Sequence, residues 1–190
     1  GAPPGILDFV ASELEERNLA LEKALGELRN AHKDLEQHFL EVTKSLVLAL
    51  ETKDPYTAGH LERVCRYATR LSELLHLPPT EVEAIREAAL LHDIGKIGLP
   101  DEVLHKIGAL THEEREIIRQ HLTIGAKILE PMKFFKSITT LITHHHERYD
   151  GKGYPDGLVG DAIPAGAQMI AIADAFDAMT TDRGYNQPKS

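Results

Sequence analysis

Apolar residues recur every seven positions through the first fifty residues of the chain. This repeat runs through Leu7, Leu14, Leu21, Leu28, Leu35, Val42 and Ala49. A second set follows four residues after each of the first six: Ala11, Asn18, Leu25, His32, Phe39 and Leu46. Spacings that alternate between four and three over several heptads are typical of a coiled coil. We therefore predict that residues 1–50 form a long linker helix that pairs with a second copy.

Asn18 indicates how this helix pairs. The residue occupies a core position of the heptad, where a buried amide is best satisfied by its own copy in a parallel, in-register dimer. Arg17 is placed to reach Glu22 of the partner helix. A long helix packed on its own domain is the alternative, and the pattern leaves it open.

Shorter amphipathic helices follow the linker. Pro55 and Gly59 interrupt the long helix, and no later segment has the alternating pattern of a strand. The apolar stripes run through Leu61, Val64, Ala68 and Leu71; Val82, Ile85 and Ala89; Ile117, Ile124 and Ile128; Ile138, Leu141 and Ile142; and Met169, Ile172, Ala173 and Phe176. Thr111 and Glu114 have the spacing of a capping box. We predict an all-α domain over residues 51–190.

Several ionisable residues continue these apolar stripes and should point inward. They are His60, His92, His121, His145 and Asp174. A buried histidine with one hydrogen-bond partner is the simpler reading of any one of them. Because five helices each direct such a group to the interior, where an unpaired polar group is costly, a shared partner is expected. One or two metal ions would satisfy neutral imidazoles and carboxylates together.

The adjacent pair His92 and Asp93 makes the prediction of a metal site more specific, because it indicates a site for two ions. The carboxylate can bridge two cations while the imidazole binds one of them. Mixed nitrogen and oxygen ligands favour iron or manganese, with zinc, nickel or magnesium as alternatives. Two such cations would hold a bridging hydroxide as the nucleophile and clamp a phosphodiester for in-line attack.

Composition limits the class of partner. The chain has a formal net charge of −9 at pH 7 and an isoelectric point near 5.6, which argues against a nucleic-acid polymer but not against a small phosphate ligand. Cys65 is the single cysteine, which excludes an internal disulfide and indicates a reducing, cytoplasmic compartment. No apolar run has the length of a membrane span.

Two motifs carry a resemblance to a known family. "HDIGK" at 92–96 and "HHERYDGKGYPDG" at 145–157 resemble the HD-GYP phosphodiesterases, a subgroup of the HD metal-dependent phosphohydrolases. The resemblance runs from about residue 46 to 185 and includes "ALETKDPYTAGH", "LLHDIGKIGLP", "GDAIP" and "IADAFDAMTTDR". It implies a compact helical HD bundle fed by a helical linker from a sensory or receiver domain. It also implies hydrolysis of cyclic di-GMP to pGpG, and often on to GMP.

The same resemblance implies a set of metal ligands. They are His60, His92, Asp93, His121, His145, His146 and Asp174. Asp93 would bridge two divalent ions, the first bound by His60, His92 and Asp174. The second ion would be bound by the remaining histidines of the set. His144 is left outside it, either facing solvent or supporting a ligand from behind.

The substrate contacts are implied in the same way. Lys96 would meet the scissile phosphate, Asp54 would pair with Lys96 and orient it, and Arg183 would contact a phosphate or guanine. The wall of the site would be shaped by Gly153, Tyr154 and Pro155.

The chain departs from the family pattern at two places. Tyr56 stands where some members have a glutamate that recruits a third metal, so we expect two ions. "RGYNQ" at 183–187 stands where many members have "RPY" and a basic residue, which weakens the expected substrate contact at Arg183. The chain also stops where a further helix usually follows in the family, so we expect a shortened domain.

Two other functions stay open. The first is a module that keeps the metal site but acts as a receptor for cyclic di-GMP or docks a diguanylate cyclase. The second is a phosphodiesterase for cyclic GMP-AMP or for a mononucleotide.

Overall fold

The computed structural model describes residues 5–51, 59–132 and 135–181. The helices are α1 Ile6–Glu51, α2 His60–Leu74, α3 Pro79–Leu91, α4 Asp101–Leu104, α5 His112–Arg119, α6 His121–Leu129, α7 Lys136–His144 and α8 Ala165–Thr180. Within these ranges the chain forms no strand, and the predicted all-α fold with a long N-terminal helix is confirmed. None of the helices described is both long enough and apolar enough to cross a membrane.

Contacts along the chain divide it into two units, residues 1–42 and 43–190. The division falls within α1, before the boundary at residues 50 and 51 that we predict from the sequence. In the first unit, the heptad positions Leu14, Leu21, Leu28 and Leu35 are each more than half exposed. Pairing of these side chains with a second helix stays a prediction.

In the second unit, helices α2, α3, α6, α7 and α8 pack on one another around an apolar core. The buried residues of this core include Val64, Ala68, Ile85, Ala88, Ala89, Leu91, Leu122, Leu129, Ile138, Ile142, Ala167, Ile170 and Ala173. The predicted stripes of α2, α3 and α7 are largely confirmed by this set. Many of the residues are alanine, which lets neighbouring helix backbones approach closely.

The stripe predicted for α8 is partly wrong. Ile172 and Phe176 are 58% and 47% exposed, whereas Met169 and Ala173 are buried as predicted. Nearly every side of α8 is apolar, so periodicity does not select the face that packs. The small residues select it instead: a β-carbon at Gly166 would come within 2.9 Å of side chains of α3 and α7.

The stripe predicted through Ile117, Ile124 and Ile128 is also interrupted. The helix is interrupted at Gln120, which lies between the end of α5 and the start of α6. Ile124 and Ile128 are only half-buried, and the buried row of α6 is His121, Leu122, Gly125 and Leu129. The row is displaced because Gly125 packs against the turn that follows α3, where a β-carbon would lie 3.4 Å from the Gly95 nitrogen.

The capping box at the start of α5 is confirmed. The Glu114 amide donates to Thr111 Oγ1 at 3.2 Å, and the Thr111 amide donates to Glu114 Oε2 at 2.8 Å. This reciprocal pair satisfies two backbone donors that the first turn of a helix leaves open.

Candidate metal centre

Most of the predicted ligands lie at the ends of helices. His60 and His121 are the first residues of α2 and α6. His92 follows α3 directly, and Asp93 precedes the 3-10 turn Ile94–Gly98. His145 and His146 follow α7, while Asp174 lies inside α8. Within a helix, adjacent residues diverge by about 100°. Where a helix ends, the backbone can turn two consecutive side chains toward one point.

The seven residues lie together in three overlapping groups. One group is His60, His92 and Asp174, and another is His121, His145 and His146. The third is His92, Asp93 and His145, which joins the first two. Within each group the ligand atoms lie within 4.8 Å of one another. The grouping matches the division into two ion sites that the sequence resemblance implies.

Backbone carbonyls fix the tautomers of the most deeply buried histidines. His92 Nδ1 lies 2.7 Å from the Ala89 oxygen, and His145 Nδ1 lies 2.6 Å from the Ile142 oxygen. His121 Nδ1 lies 2.7 Å from the oxygen of the residue three before it. A carbonyl only accepts hydrogen bonds, so each Nδ1 carries the proton and donates it. Each Nε2 is then left with a free lone pair.

These Nε2 atoms are buried without a hydrogen-bond partner. The three are those of His92, His121 and His145, as far as the described part of the chain shows. A buried acceptor without a partner is costly, and native structures rarely keep one without a reason. Imidazoles that donate through Nδ1 to a carbonyl and present Nε2 to a common point are the usual arrangement of histidine metal ligands. The residues present therefore fit one or more metal ions.

Asp93 lies between the two groups of ligands. Its Oδ2 is 3.4 Å from His92 Nε2, and its Oδ1 is 3.6 Å from His121 Nε2. Lys96 Nζ approaches Oδ2 at 2.6 Å. Burial alone would raise the pKa of Asp93, but the charge of Lys96 and the neighbouring imidazoles outweigh it and hold the pKa well below its usual range. Asp93 is therefore an ionised carboxylate with one oxygen directed to each group.

Burial favours the neutral form of four histidines of the centre. It lowers the pKa of His60 and His121, and it lowers that of His145 well below the usual value. Burial, reinforced by the charge of His121, lowers the pKa of His146 to about 4. Only neutral imidazole binds a metal ion, so these four side chains are in the binding form at neutral pH.

The loop after the histidines is anchored by Glu147. Its buried carboxylate accepts hydrogen bonds from the amides of Asp156, Gly157 and Leu158, at 2.7, 3.0 and 3.0 Å. Glu147 is therefore an anchor of the loop rather than the partner of a local ion pair. Arg148 pairs with Asp150 instead, at 2.7 Å.

Tyr154 forms a wall of the cluster. Its ring centroid lies 5.1 Å from that of His146, and the Arg119 guanidinium carbon lies 4.6 Å from the Tyr154 centroid. Burial raises the pKa of Tyr154 to about 12, so the phenol keeps its proton at neutral pH. Gly153 is packed so closely on the backbone of Glu147 that a β-carbon there would overlap it.

The remaining predicted residues lie at the edge of the cluster or outside the described chain. Pro155 is exposed in the loop. His144 stays outside the three ligand groups and connects α7 to the loop, because its Nε2 lies 3.0 Å from Asp156 Oδ2. The predictions for Asp54, Tyr56 and Arg183 fall outside the described residues.

Sequence reasoning missed two residues that support the cluster. Asp177 is fully buried, and its Oδ2 lies 2.7 Å from His60 Nδ1. Arg63 Nε donates to Asp177 Oδ1 at 2.6 Å. A signal was present in the spacing: Arg63 follows His60 by three residues on α2, and Asp177 follows Asp174 by three on α8. Arg119 was missed as well, and no spacing marks it.

Comparison with known proteins gives consistent matches. The chain is 40% identical to the cyclic di-GMP phosphodiesterase response regulator RpfG of Xanthomonas campestris, over 93% of this chain and 47% of that protein. It is 38% identical to 3'3'-cGAMP-specific phosphodiesterase 2 of Vibrio cholerae, over 82% of this chain and 30% of that protein. The chain thus spans less than half the length of these relatives.

A solved structure and a family model agree with these matches. The crystal structure of a cyclic GMP-AMP-specific phosphodiesterase of Vibrio cholerae superposes with a TM-score of 0.58 at 22% identity, covering 74% of this chain and 40% of that one. At this identity the likeness shows the fold alone. The family model described as the HD domain matches residues 44–190. The chain therefore belongs to the HD domain family, as the resemblance in its sequence predicted.

Proposed function

We propose that this protein is a metal-dependent phosphodiesterase that hydrolyses cyclic di-GMP to pGpG and on to GMP. The observation that carries the proposal is the ligand cluster: three buried Nε2 atoms lack a partner and Asp93 directs one oxygen to each ligand group. Relatives named as cyclic di-GMP and cyclic GMP-AMP phosphodiesterases support the choice of substrate class.

The proposed cofactor is a pair of divalent cations, iron or manganese in preference to zinc, nickel or magnesium. His60, His92 and Asp174 would hold one ion, and His121, His145 and His146 the other. Asp93 would contact both. When bound, such ions would lower the pKa of a coordinated water molecule and would stabilise negative charge on the phosphate.

The chain's own residues supply the rest of the chemistry. Asp93 contributes a fixed negative charge that reduces the repulsion between two cations. Lys96 is held beside the cluster by its ion pair with Asp93, and its ammonium group would stabilise the charge that develops on a phosphate oxygen. Tyr154 covers His146 on the loop side.

A protein nucleophile is not needed in this scheme. Cys65 is half-buried, its thiol donates to the Arg86 oxygen at 3.6 Å, and burial raises the pKa of that thiol. A protonated thiol that is hydrogen-bonded to α3 is a poor nucleophile. Cleavage is therefore assigned to a water molecule that the cluster activates.

Cyclic GMP-AMP is the second candidate substrate. The relative from Vibrio cholerae named for that dinucleotide is nearly as similar to this chain as the one named for cyclic di-GMP. The predicted base or phosphate contact, Arg183, belongs to a stretch that departs from the family pattern. We propose cyclic di-GMP as the first candidate substrate because the ligand set and the loop at 147–157 both follow the sequence pattern of the HD-GYP phosphodiesterases.

The proposed setting is a cytoplasmic signalling protein. We propose that α1 forms a parallel homodimer and transmits a signal from an upstream sensory or receiver domain, as the words "response regulator" in the name of one relative suggest. A diguanylate cyclase is the proposed partner only if the protein binds cyclic di-GMP without cleaving it.

The test is an assay of the metal-loaded protein. Protein reconstituted with Mn²⁺ or with Fe²⁺ is incubated separately with cyclic di-GMP and with 3'3'-cyclic GMP-AMP, and the products are separated by chromatography. We expect pGpG and GMP from the first substrate, and no product from protein treated with a chelator. Tight binding of cyclic di-GMP without turnover would contradict the proposed enzyme function and support a receptor function. Faster turnover of cyclic GMP-AMP would make that dinucleotide the assigned substrate.

A further inference from the structure

His60 differs from the other buried histidines of the cluster in what holds its Nδ1. His92, His121 and His145 each donate from Nδ1 to a backbone carbonyl of their own segment. His60 Nδ1 instead lies 2.7 Å from the carboxylate of Asp177 on another helix. The Nε2 of His60 is 3.4 Å from Asp174 Oδ1, within the first ligand group.

The Asp177 carboxylate is itself tightly held. Arg63 Nε donates to Oδ1 at 2.6 Å, and Arg63 Nη2 donates to Oδ2 at 3.2 Å. Thr181 Oγ1 donates to Oδ1 at 3.2 Å. A fully buried carboxylate is stable only when it is paired and hydrogen-bonded, and Arg63 supplies that pairing. The two-point contact of the guanidinium also fixes the plane of the carboxylate, so that Oδ2 stays directed at His60.

An anionic acceptor acts on an imidazole ligand more strongly than a carbonyl does. It holds the ring in one orientation, fixes the proton on Nδ1 and makes Nε2 a stronger donor to a metal ion. Loss of such an outer partner typically weakens metal affinity by about 10–100-fold. In this cluster only the group of His60, His92 and Asp174 has this support, as far as the described residues show.

We infer that Asp177, held in place by Arg63, is a positioning residue that sets the metal affinity of the His60, His92 and Asp174 site and leaves the other site unchanged. The inference rests on the proposed metal-dependent function. It makes the two ion sites unequal although both use histidine ligands. The site supported by Asp177 should retain its ion longest when metal is scarce.

The test measures Mn²⁺ binding to each site separately, without substrate. In a His146→Ala background the first site is titrated alone, and Asp177→Asn should raise its dissociation constant by about 10–100-fold. In a His60→Ala background the second site is titrated, and Asp177→Asn should change its dissociation constant less than twofold. Thr181→Val is the control, because it removes one hydrogen bond to Asp177 but leaves the contact between carboxylate and imidazole.

Thermal unfolding of the metal-free variants separates positioning from a purely structural role. A structural role would lower the unfolding temperature and weaken both sites together, which would overturn the inference. If Asp177→Asn does not fold, Arg63→Gln carries the test, and it should weaken the first site alone by a smaller factor. If the parent protein binds two ions and Asp177→Asn binds both with unchanged affinity, only this inference is overturned. Failure of the parent protein to bind Mn²⁺ would overturn the proposed function as well.

Discussion

Gly95 packs directly against the backbone of His121, so that a β-carbon at position 95 would overlap the His121 carbonyl oxygen. The same β-carbon would stand 2.6 Å from the Gly125 nitrogen. This contact joins the turn that carries Asp93 to the start of α6. It brings two of the proposed ligands, Asp93 and His121, from separated segments into one centre, and only glycine fits there.

We predict that Gly95→Ala destabilises the protein and disturbs the second ion site. The added methyl group meets backbone atoms, which cannot rotate away, so the free energy of unfolding should fall by about 3 kcal/mol, at the upper end of the usual cost of overpacking. Urea denaturation measures this change. Gly26→Ala is the matched control, because no atom lies within 4 Å of the added β-carbon and alanine favours a helix by up to about 1 kcal/mol. Equal effects of the two substitutions would contradict the assigned contact.

Asp93→Ala should abolish the binding of both ions. The carboxylate directs one oxygen to each ligand group, so its removal would take away the anion that the two proposed cations share. His60→Ala should weaken chiefly one ion. Elemental analysis of purified protein gives the number of ions per chain, with exposed Asp161→Ala as the control that should retain two. One ion or three in the parent protein would show that the site is wrongly assigned.

Lys96→Ala should slow turnover without removing the metals. The ammonium group lies 2.6 Å from Asp93 Oδ2 and is directed to the centre, where it can stabilise charge on a phosphate oxygen. Removing one such donor typically lowers kcat by about 10²–10³-fold. Steady-state kinetics together with metal analysis measures both effects. Cys65→Ser is the comparison and should leave the rate nearly unchanged. Full activity of metal-loaded Lys96→Ala would refute the role given to this residue.

The metal-free protein should lose stability as the pH falls from about 6.5. Burial lowers the pKa of His60, His121, His145 and His146, the last to about 4. In the unfolded chain these groups bind protons near pH 6.5. Because the unfolded state binds more protons in the window down to about pH 4, the free energy of unfolding should fall there by up to about 1.4 kcal/mol per pH unit for each histidine.

Urea denaturation in a chelating buffer at pH 7.5, 6.5, 5.5 and 4.5 measures this dependence. His146→Gln should flatten the slope because it removes one of the imidazoles whose pKa is lowered in the folded protein. His105→Gln should leave it unchanged, since His105 is exposed. A stability that stays constant between pH 7 and pH 5 would contradict the predicted protonation.

The N-terminal helix should make the protein a parallel dimer. Leu14, Leu21, Leu28 and Leu35 of its heptad repeat are more than half exposed in the single chain, and a second copy would bury them. Sedimentation at micromolar concentration should give a dimer, and deletion of residues 1–42, the first unit, should give a monomer. Asn18→Ile should stabilise the helices but loosen their register or number. Asn30→Ile, outside the heptad core, is the matched control, and a monomeric parent protein would contradict the prediction.

The spacing of apolar residues and the types of residue at helix ends were enough to predict the all-α fold class, the capping box at Thr111 and the buried stripes of α2, α3 and α7. These features depend on residues a few positions apart, so local pattern determines them. Sequence also identified His60, His92, His121, His145 and Asp174, because ionisable groups that face inward on several helices need a common partner and a metal ion can supply it. His146, which the structure brings to the same centre, was implied only by the resemblance to the family. The roles given to Asp54 and Arg183 stay predictions.

Tertiary structure decided what depends on close approach between distant segments. At Gly166 and Gly125 the helices pack closely on their neighbours through small residues. As a result Ile172, Phe176 and Ile124 are not buried in the core, although the periodicity of the sequence predicts that they are. The support of His60 by Asp177, more than a hundred residues along the chain, likewise depends on packing: the three-residue spacing on α2 and on α8 is present in the sequence, but it does not reveal that the two helices meet at these side chains. Spacing along a helix determines which side chains share a face, but only the packing of helices determines which faces meet.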